Sequence, residues 1–183
     1  LSLASHEFFH AFNVKRLRPR ELGPFDYERP PRTTSLWQAE GLTCYYTVLL
    51  LCRAGLRTPE WLLAMLSDKI AQLQAAPGRL VQTLEQSSYG VWDNSFSGLN
   101  PTDDTVSYYV KGHVVGWLLD CAIRRATAGA AALDDVMRLA YARYSGGQGF
   151  TPEEFRATVQ EIGGAGVAEW LDRAEEREIG EVI

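Results

Sequence analysis

Apolar residues recur along the chain mostly at helical spacing, and loop-forming residues divide them into segments. Leu3 to about Leu17 is apolar and aromatic, with Pro19 as its stop signal. Positions 18–35 carry Pro19, Pro24, Pro30 and Pro31 with Gly23, which predicts a loop. Leu36 to Ala54 is a long apolar segment closed by Gly55, a good residue just past a helix end. Thr58-Pro59 supplies an N-cap and a first-turn proline for a helix to about Ala75, and Pro77-Gly78 breaks it. A short helix is expected near Arg79 to Gln86. Positions 87–104 are rich in Ser, Asn, Gly and Asp and predict an ordered, irregular loop. Val106 to Ala128 is the longest predicted helix. It is apolar nearly all round from Val114 to Ile123 and should be buried. Leu133 to Tyr144 is amphipathic and ends in Ser145-Gly146-Gly147. Thr151-Pro152-Glu153-Glu154 combines N-cap, proline and capping-box signals for a helix ending at Gly163-Gly164. A last short helix covers Val167 to Glu176, and Ile179 to Ile183 reads as the start of a strand or a linker. Neither an internal repeat nor a βαβ alternation is present, which argues against a doubly wound sheet. The expected fold is all-α, a bundle of six to eight helices in one domain.

Composition narrows the function classes. A chain of 183 residues buries roughly 68–70% of its unfolded surface and needs no staples. Hydrophobic residues at 46% and charged residues at 22% exclude disorder, collagen and coiled coil. The net charge of −5, from 18 basic and 23 acidic residues, argues against a nucleic-acid partner. Cys44, Cys52 and Cys121 are too few and too scattered for a disulfide framework. They read as buried thiols in a reducing compartment, or in one where nothing pairs them. Apolar runs such as Val48 to Cys52 are far shorter than the ~20 residues that span a bilayer. The chain shows no signal peptide, but it begins with Leu1 only five residues before its sharpest motif. It is therefore expected to be a piece of a longer protein, with its location open between cytoplasm and periplasm and the cytoplasm favoured.

That motif is His6-Glu7-Phe8-Phe9-His10, an HExxH. Residues four apart in a helix differ by about 40° around the axis, so His6 and His10 share a face and can reach one zinc ion. Glu7 lies one residue's rotation away, placed as a general base rather than a ligand. A bare HExxH also arises by chance, and Phe8, Phe9 and Phe12 are equally what an ordinary core helix carries. Two of the chain's three histidines fall here, however, and burying three polar groups in an apolar helix is costly without a purpose. A catalytic zinc site needs a third protein ligand. His113, among Val114 and Val115, reads as packed or pocket-lining. Glu40 is the better candidate, being the sole acidic residue in the apolar second helix.

Three ordered motifs extend this reading. His6 to His10, followed by Asn13-Val14-Lys15-Arg16 and Arg18-Pro19, resembles the zinc-site helix of the glycyl aminopeptidase family, gluzincin metallopeptidases related to aminopeptidase N. Trp37 to Tyr46 resembles that family's Trp-x-x-Glu-Gly segment, which supplies the third ligand and maps it onto Glu40. Gly23-Pro24-Phe25-Asp26-Tyr27 is also similar to the family. Val106 to Gly112 resembles the Tyr-x-Lys-Gly segment of the wider clan, whose transition-state tyrosine maps onto Tyr109. The resemblance runs from the first residue to about Arg125. From Ala126 onward only the helical character matches.

The resemblance implies zinc held by His6, His10 and Glu40, with Glu7 as general base and Tyr109 at the oxyanion. It also implies a peptide substrate losing a small N-terminal residue such as glycine. By the same token the chain is the helical half of a catalytic domain, without the family's upstream β-domain and sheet or its downstream PDZ domain. Tyr108 should point about 100° away from Tyr109, so that only one of the two fills the role. Relatives often place an acidic residue a turn or two after the third ligand. Here those positions are Cys44 and Thr47, so a backbone carbonyl must orient a histidine or the metal is held less well. Lys15, Arg16, Arg18 and Arg20 read as a solvated helix end. Trp92-Asp93-Asn94 is expected to line the cleft or to form a structural turn. With a sheet missing, Phe8, Phe9 and Phe12 should lack partners, which predicts self-association through the first helix. The competing readings are a non-catalytic helical fragment and an interaction module in which HExxH is accidental.

Overall fold

The structure, a computed structural model, describes residues 1–93 and 101–176. Eight α-helices are described: α1 (Ser2–His10), α2 (Leu42–Arg53), α3 (Pro59–Ala75), α4 (Leu84–Tyr89), α5 (Tyr108–Ala126), α6 (Leu133–Tyr144), α7 (Pro152–Gly163) and α8 (Ala165–Glu176). Among the described residues there is no strand, only isolated bridges pairing Asn13 with Leu17 and Pro19 with Phe150. The fold is an all-α bundle.

Helix α5 is its axis, packed by α2, α3, α4, α6, α7 and α8. The all-round apolar stretch explains why: Val114, Val115, Leu119 and Ile123 are fully buried, and such side chains each contribute about 1.5–3 kcal/mol on burial. The predicted caps form. Thr58 accepts a hydrogen bond from the Trp61 amide at 3.2 Å, and Thr151 with Glu154 closes a reciprocal capping box at 3.2 and 2.8 Å.

Two elements depart from the expected pattern, and both shape the site. Helix α1 stops at His10 instead of running to Leu17. The stop signal is Asn13, not Pro19. The buried Asn13 side-chain amide reaches the carbonyls of Gln38 at 3.0 Å and Ala39 at 3.1 Å and the Thr43 hydroxyl at 3.0 Å. Val14 next to it takes a φ of 106°, strain for a β-branched residue that these anchors hold in place. Arg16 then folds back onto the Ala11 carbonyl, as a cation at a helix C-terminus should.

The second departure is a π-helical turn, Trp37–Gly41, which runs directly into α2. It lies across α5 where Gly41 meets Gly112: a Cβ built on Gly41 would stand 2.5 Å from the Gly112 Cα. Two glycines let the backbones touch where any side chain would hold them apart. The irregular stretch is also more helical than expected, since α4 and a short 3-10 turn over Gly90–Trp92 occupy its first part. Trp92 donates to the Pro31 carbonyl at 2.8 Å, and Arg32 pairs with both Asp93 oxygens. Trp92 and Asp93 thus form a structural clasp; Asn94 and Ile179 to Ile183 lie outside the described residues.

Helix α1 rests on α2 with none of its own residues fully buried. Phe9 does find a partner, stacking on Tyr46 with ring centroids 4.6 Å apart. Phe8 and Phe12 remain 67% and 44% exposed.

Candidate metal centre

His6 and His10 project from the inner face of α1 toward the π-turn, and Glu40 projects from that turn toward them. The two Nε2 atoms lie 3.1 Å apart, and each is 3.2 Å from Glu40 Oε2. Four ligands at about 2.0 Å in a tetrahedron stand about 3.3 Å from one another. The triangle therefore has the size of one face of a zinc-sized tetrahedron. The helix spacing places the two imidazoles, but the Gly41–Gly112 contact and the π-turn place the carboxylate. A π-turn inside a helix is frequent at functional sites because it redirects a single side chain.

Hydrogen bonds to the far side of each ring decide which nitrogen faces the centre. His10 Nδ1 is 3.0 Å from the Asn13 carbonyl, an obligate acceptor, so it carries the proton. His6 Nδ1 is 3.3 Å from the Thr47 hydroxyl, whose own proton goes to the Thr43 carbonyl at 2.7 Å, so it too donates. Both Nε2 lone pairs then face each other beside a carboxylate. Three acceptors aimed at one point require a positive charge between them, and a metal ion fits this donor set. In the absence of an ion, protons on the imidazole Nε2 atoms would supply that charge. Burial alone would push the Glu40 carboxyl up, yet the hydrogen bonds and charge of His10 and His6 hold it down at about 2. Burial lowers His10, but Glu40, the Asn13 carbonyl and the charge of Glu7 overcome it and raise its pKa.

The remaining candidates take different places. Glu7 is exposed on α1 beside His6. Tyr109, in the first turn of α5, is half-buried, and its hydroxyl is pushed up by burial and then by the Glu40 charge. Cys44 Sγ is 3.9 Å from His6 Nδ1. Its thiol is pushed up to about 12 by burial and by Glu40, so it stays neutral. His113 is not part of the cluster. It is buried edge-on to Tyr45, neither ring nitrogen has a partner, and burial lowers it to about 4. Of the basic run, Arg20 pairs with Glu154 at 3.0 Å and Arg18 reaches the Gly147 carbonyl at 3.3 Å, partners 134 and 129 positions along the chain. The role of Asn13 was not readable beforehand. Its signal is a polar residue three positions after the second histidine, inside an apolar run.

No curated protein matches the chain. Among solved structures, it is similar to an aminopeptidase N family protein from Idiomarina loihiensis, with a TM-score of 0.89 and 27% identity. That likeness covers 97% of this chain and 31% of the other, so the chain spans about a third of that protein's length. Residues 1–115, which contain α1, the π-turn, α2 and the start of α5, match the family of M61 glycyl aminopeptidases. The segment that brings His6, His10 and Glu40 together is thus the segment that carries the family pattern, and the chain belongs to the M61 glycyl aminopeptidase family.

Proposed function

We propose that this chain is the helical part of a zinc metallopeptidase that removes small N-terminal residues such as glycine from peptides. One observation carries the reading: two tautomer-fixed imidazoles and a carboxylate converge at 3.1–3.2 Å. His6, His10 and Glu40 would hold the ion. Zinc held there would supply Lewis-acid chemistry, polarising a scissile carbonyl and acidifying a water. Glu7, exposed on α1 next to His6, would take the proton of the attacking water and return it to the leaving amine. The Tyr109 hydroxyl donates a hydrogen bond to the oxyanion as it develops.

The purified chain should carry close to one zinc per molecule by elemental analysis, and His6→Ala should carry none. In the full-length protein Glu7→Gln should retain zinc while turnover falls about 100-fold or more, since the amide cannot take a proton. Zinc-free wild-type chain after metal supplementation, or Glu7→Gln at wild-type turnover, would refute the assignment.

A second reading concerns the chain by itself and rests on the 31% coverage of the solved relative. The β-domain, sheet and PDZ domain that the family resemblance implies would lie outside the eight helices described. Residues that orient the substrate amine would then come from elsewhere, and correct orientation is worth about 7–11 kcal/mol of a barrier. On this reading the isolated chain binds zinc and hydrolyses peptides poorly, and its exposed α1 face favours self-association.

A further inference from the structure

Helix α1 and the π-turn each carry part of the candidate centre, and one buried residue bonds to both. Asn13 is 3% exposed. Its backbone amide stays with the last turn of α1, donating to the Phe9 carbonyl at 3.0 Å. Its carbonyl meets His10 Nδ1 at 3.0 Å. A helix continued past His10 would aim that carbonyl along the axis at an amide four residues on, so the ring gains this partner only because the helix stops. The turn that frees it runs through Val14 at a φ of 106° and is closed by the Val14 amide on the Leu17 carbonyl at 2.7 Å. A β-branched residue keeps such a conformation only where its surroundings fix it.

The Asn13 side chain supplies that constraint. Its Nδ2 faces the Gln38 carbonyl at 3.0 Å, the Ala39 carbonyl at 3.1 Å and the Thr43 hydroxyl at 3.0 Å. Two carbonyls admit only the NH2 end of the amide, which settles its orientation. These acceptors belong to the stretch around Glu40. The Leu42 amide there bonds to the Trp37 carbonyl, five residues back. Where that register returns to the four-residue register of α2, one carbonyl is passed over and needs a donor from elsewhere. The Ala39 carbonyl takes the Thr43 hydroxyl at 2.6 Å as well as the Asn13 amide. We propose that Asn13 is a positioning residue for the metal centre: its carbonyl holds His10 in the Nδ1–H tautomer, and its side chain pins the turn that presents Glu40. One residue thereby sets the two ligand-bearing elements against each other before an ion arrives. His6, held by Thr47, stands outside this arrangement. The inference rests on His6, His10 and Glu40 as the metal ligands.

The test uses the 183-residue chain with and without zinc. Asn13→Asp keeps the shape of the side chain and turns a carboxylate oxygen toward two carbonyls. Chelator competition should show zinc binding about 10- to 100-fold weaker, the range for lost outer partners. In the metal-free chain at about pH 9, where a free imidazole is neutral, nitrogen NMR should show wild-type His10 as the Nδ1–H tautomer. Asn13→Asp should shift His10 toward Nε2–H and leave His6 unchanged. Thr43→Val removes one of the three acceptors and serves where Asn13→Asp fails to fold. It should weaken zinc about 2- to 10-fold, the worth of about one hydrogen bond. Val159→Ala, in the buried face of α7, should lower the melting temperature and keep zinc affinity. Wild-type zinc affinity in Thr43→Val, or in folded Asn13→Asp, overturns the positioning role and leaves the proposed function standing. An unchanged His10 tautomer in folded Asn13→Asp, or a shift of His6 along with His10, also overturns it. So does an equal loss of zinc in Val159→Ala, because Asn13 would then act through the fold at large. A wild-type chain that binds no zinc removes the ligands themselves, and this inference with them.

Discussion

The two histidines at the centre are held by unequal partners. His10 leans on a backbone carbonyl, whereas His6 leans on the Thr47 hydroxyl at 3.3 Å with the Cys44 thiol farther off. A carboxylate at either position would raise the basicity of His6 more than a hydroxyl does, so His6 is the weaker anchor. Thr47→Val keeps the shape of the side chain and removes its oxygen. Competition against a chelator should show zinc binding about 10-fold weaker, the low end of what such outer partners are worth. Thermal stability should change little, because the proton of Thr47 is spent within its own helix, on Thr43. The residue types of this cluster were legible in the sequence, and so was the question of what replaces the acidic partner. The tautomers were not, because they depend on which oxygen the fold brings behind each ring.

Between elements, the site depends on how closely the π-turn approaches α5. Gly41→Ala would place its Cβ within 2.5–2.6 Å of Gly112 backbone atoms, and backbone cannot step aside as a side chain would. Overpacking of this kind costs about 1–3 kcal/mol. The melting temperature should therefore fall by several degrees. Zinc affinity should drop with it, since the residue before Gly41 is Glu40. A second joint ties α2 to α6. Asp134 accepts from Tyr46 at 3.1 Å and from both Arg53 nitrogens at 3.0 and 2.8 Å. Burial alone would raise the Asp134 carboxyl, but Arg53 and then Tyr46 hold it below the usual carboxylate range. A lowered native pKa means that the stabilisation is complete above the unfolded value of about 3.9 and is lost as pH falls through the native one. Urea titrations should show Asp134→Asn less stable by about 1–2 kcal/mol at pH 7. The gap should narrow steadily below pH 4 as the wild-type carboxylate takes up its proton.

For the molecule as a whole, the telling feature is the thin attachment of α1. The helix that carries both histidines lies on the bundle with Leu1, Leu3 and Phe8 61%, 73% and 67% exposed. Contiguous apolar surface of a few hundred Å² on a soluble protein usually has a partner. If a second copy of the chain takes that place, light scattering at micromolar concentration should report dimers or larger species. The double variant Leu3→Ser, Phe8→Ser should then shift the chain to monomer without loss of zinc, because neither residue is a ligand. A wild-type chain that scatters as a monomer would rule out self-association through this face.

Local rules in the sequence were enough for the helical class, the buried central helix, the capped starts at Thr58 and Thr151, and the face shared by His6 and His10. Each of these depends on contacts within a few residues, so spacing and side-chain type determine it. The end of α1 was misread because the competing signal is tertiary: Asn13 breaks the helix through bonds to residues 25, 26 and 30 positions away. The same reason separates Glu40 as a candidate from Glu40 at 3.2 Å from both imidazoles. A carboxylate in an apolar segment shows in the sequence that some positive charge should meet it, but which one depends on a glycine of another helix 72 positions on, where Gly112 lets the backbones touch. The stacked rings of Tyr108 and Tyr109 are the clearest case. Helix geometry alone sends them apart, and only the packing around the first turn of α5 brings them together.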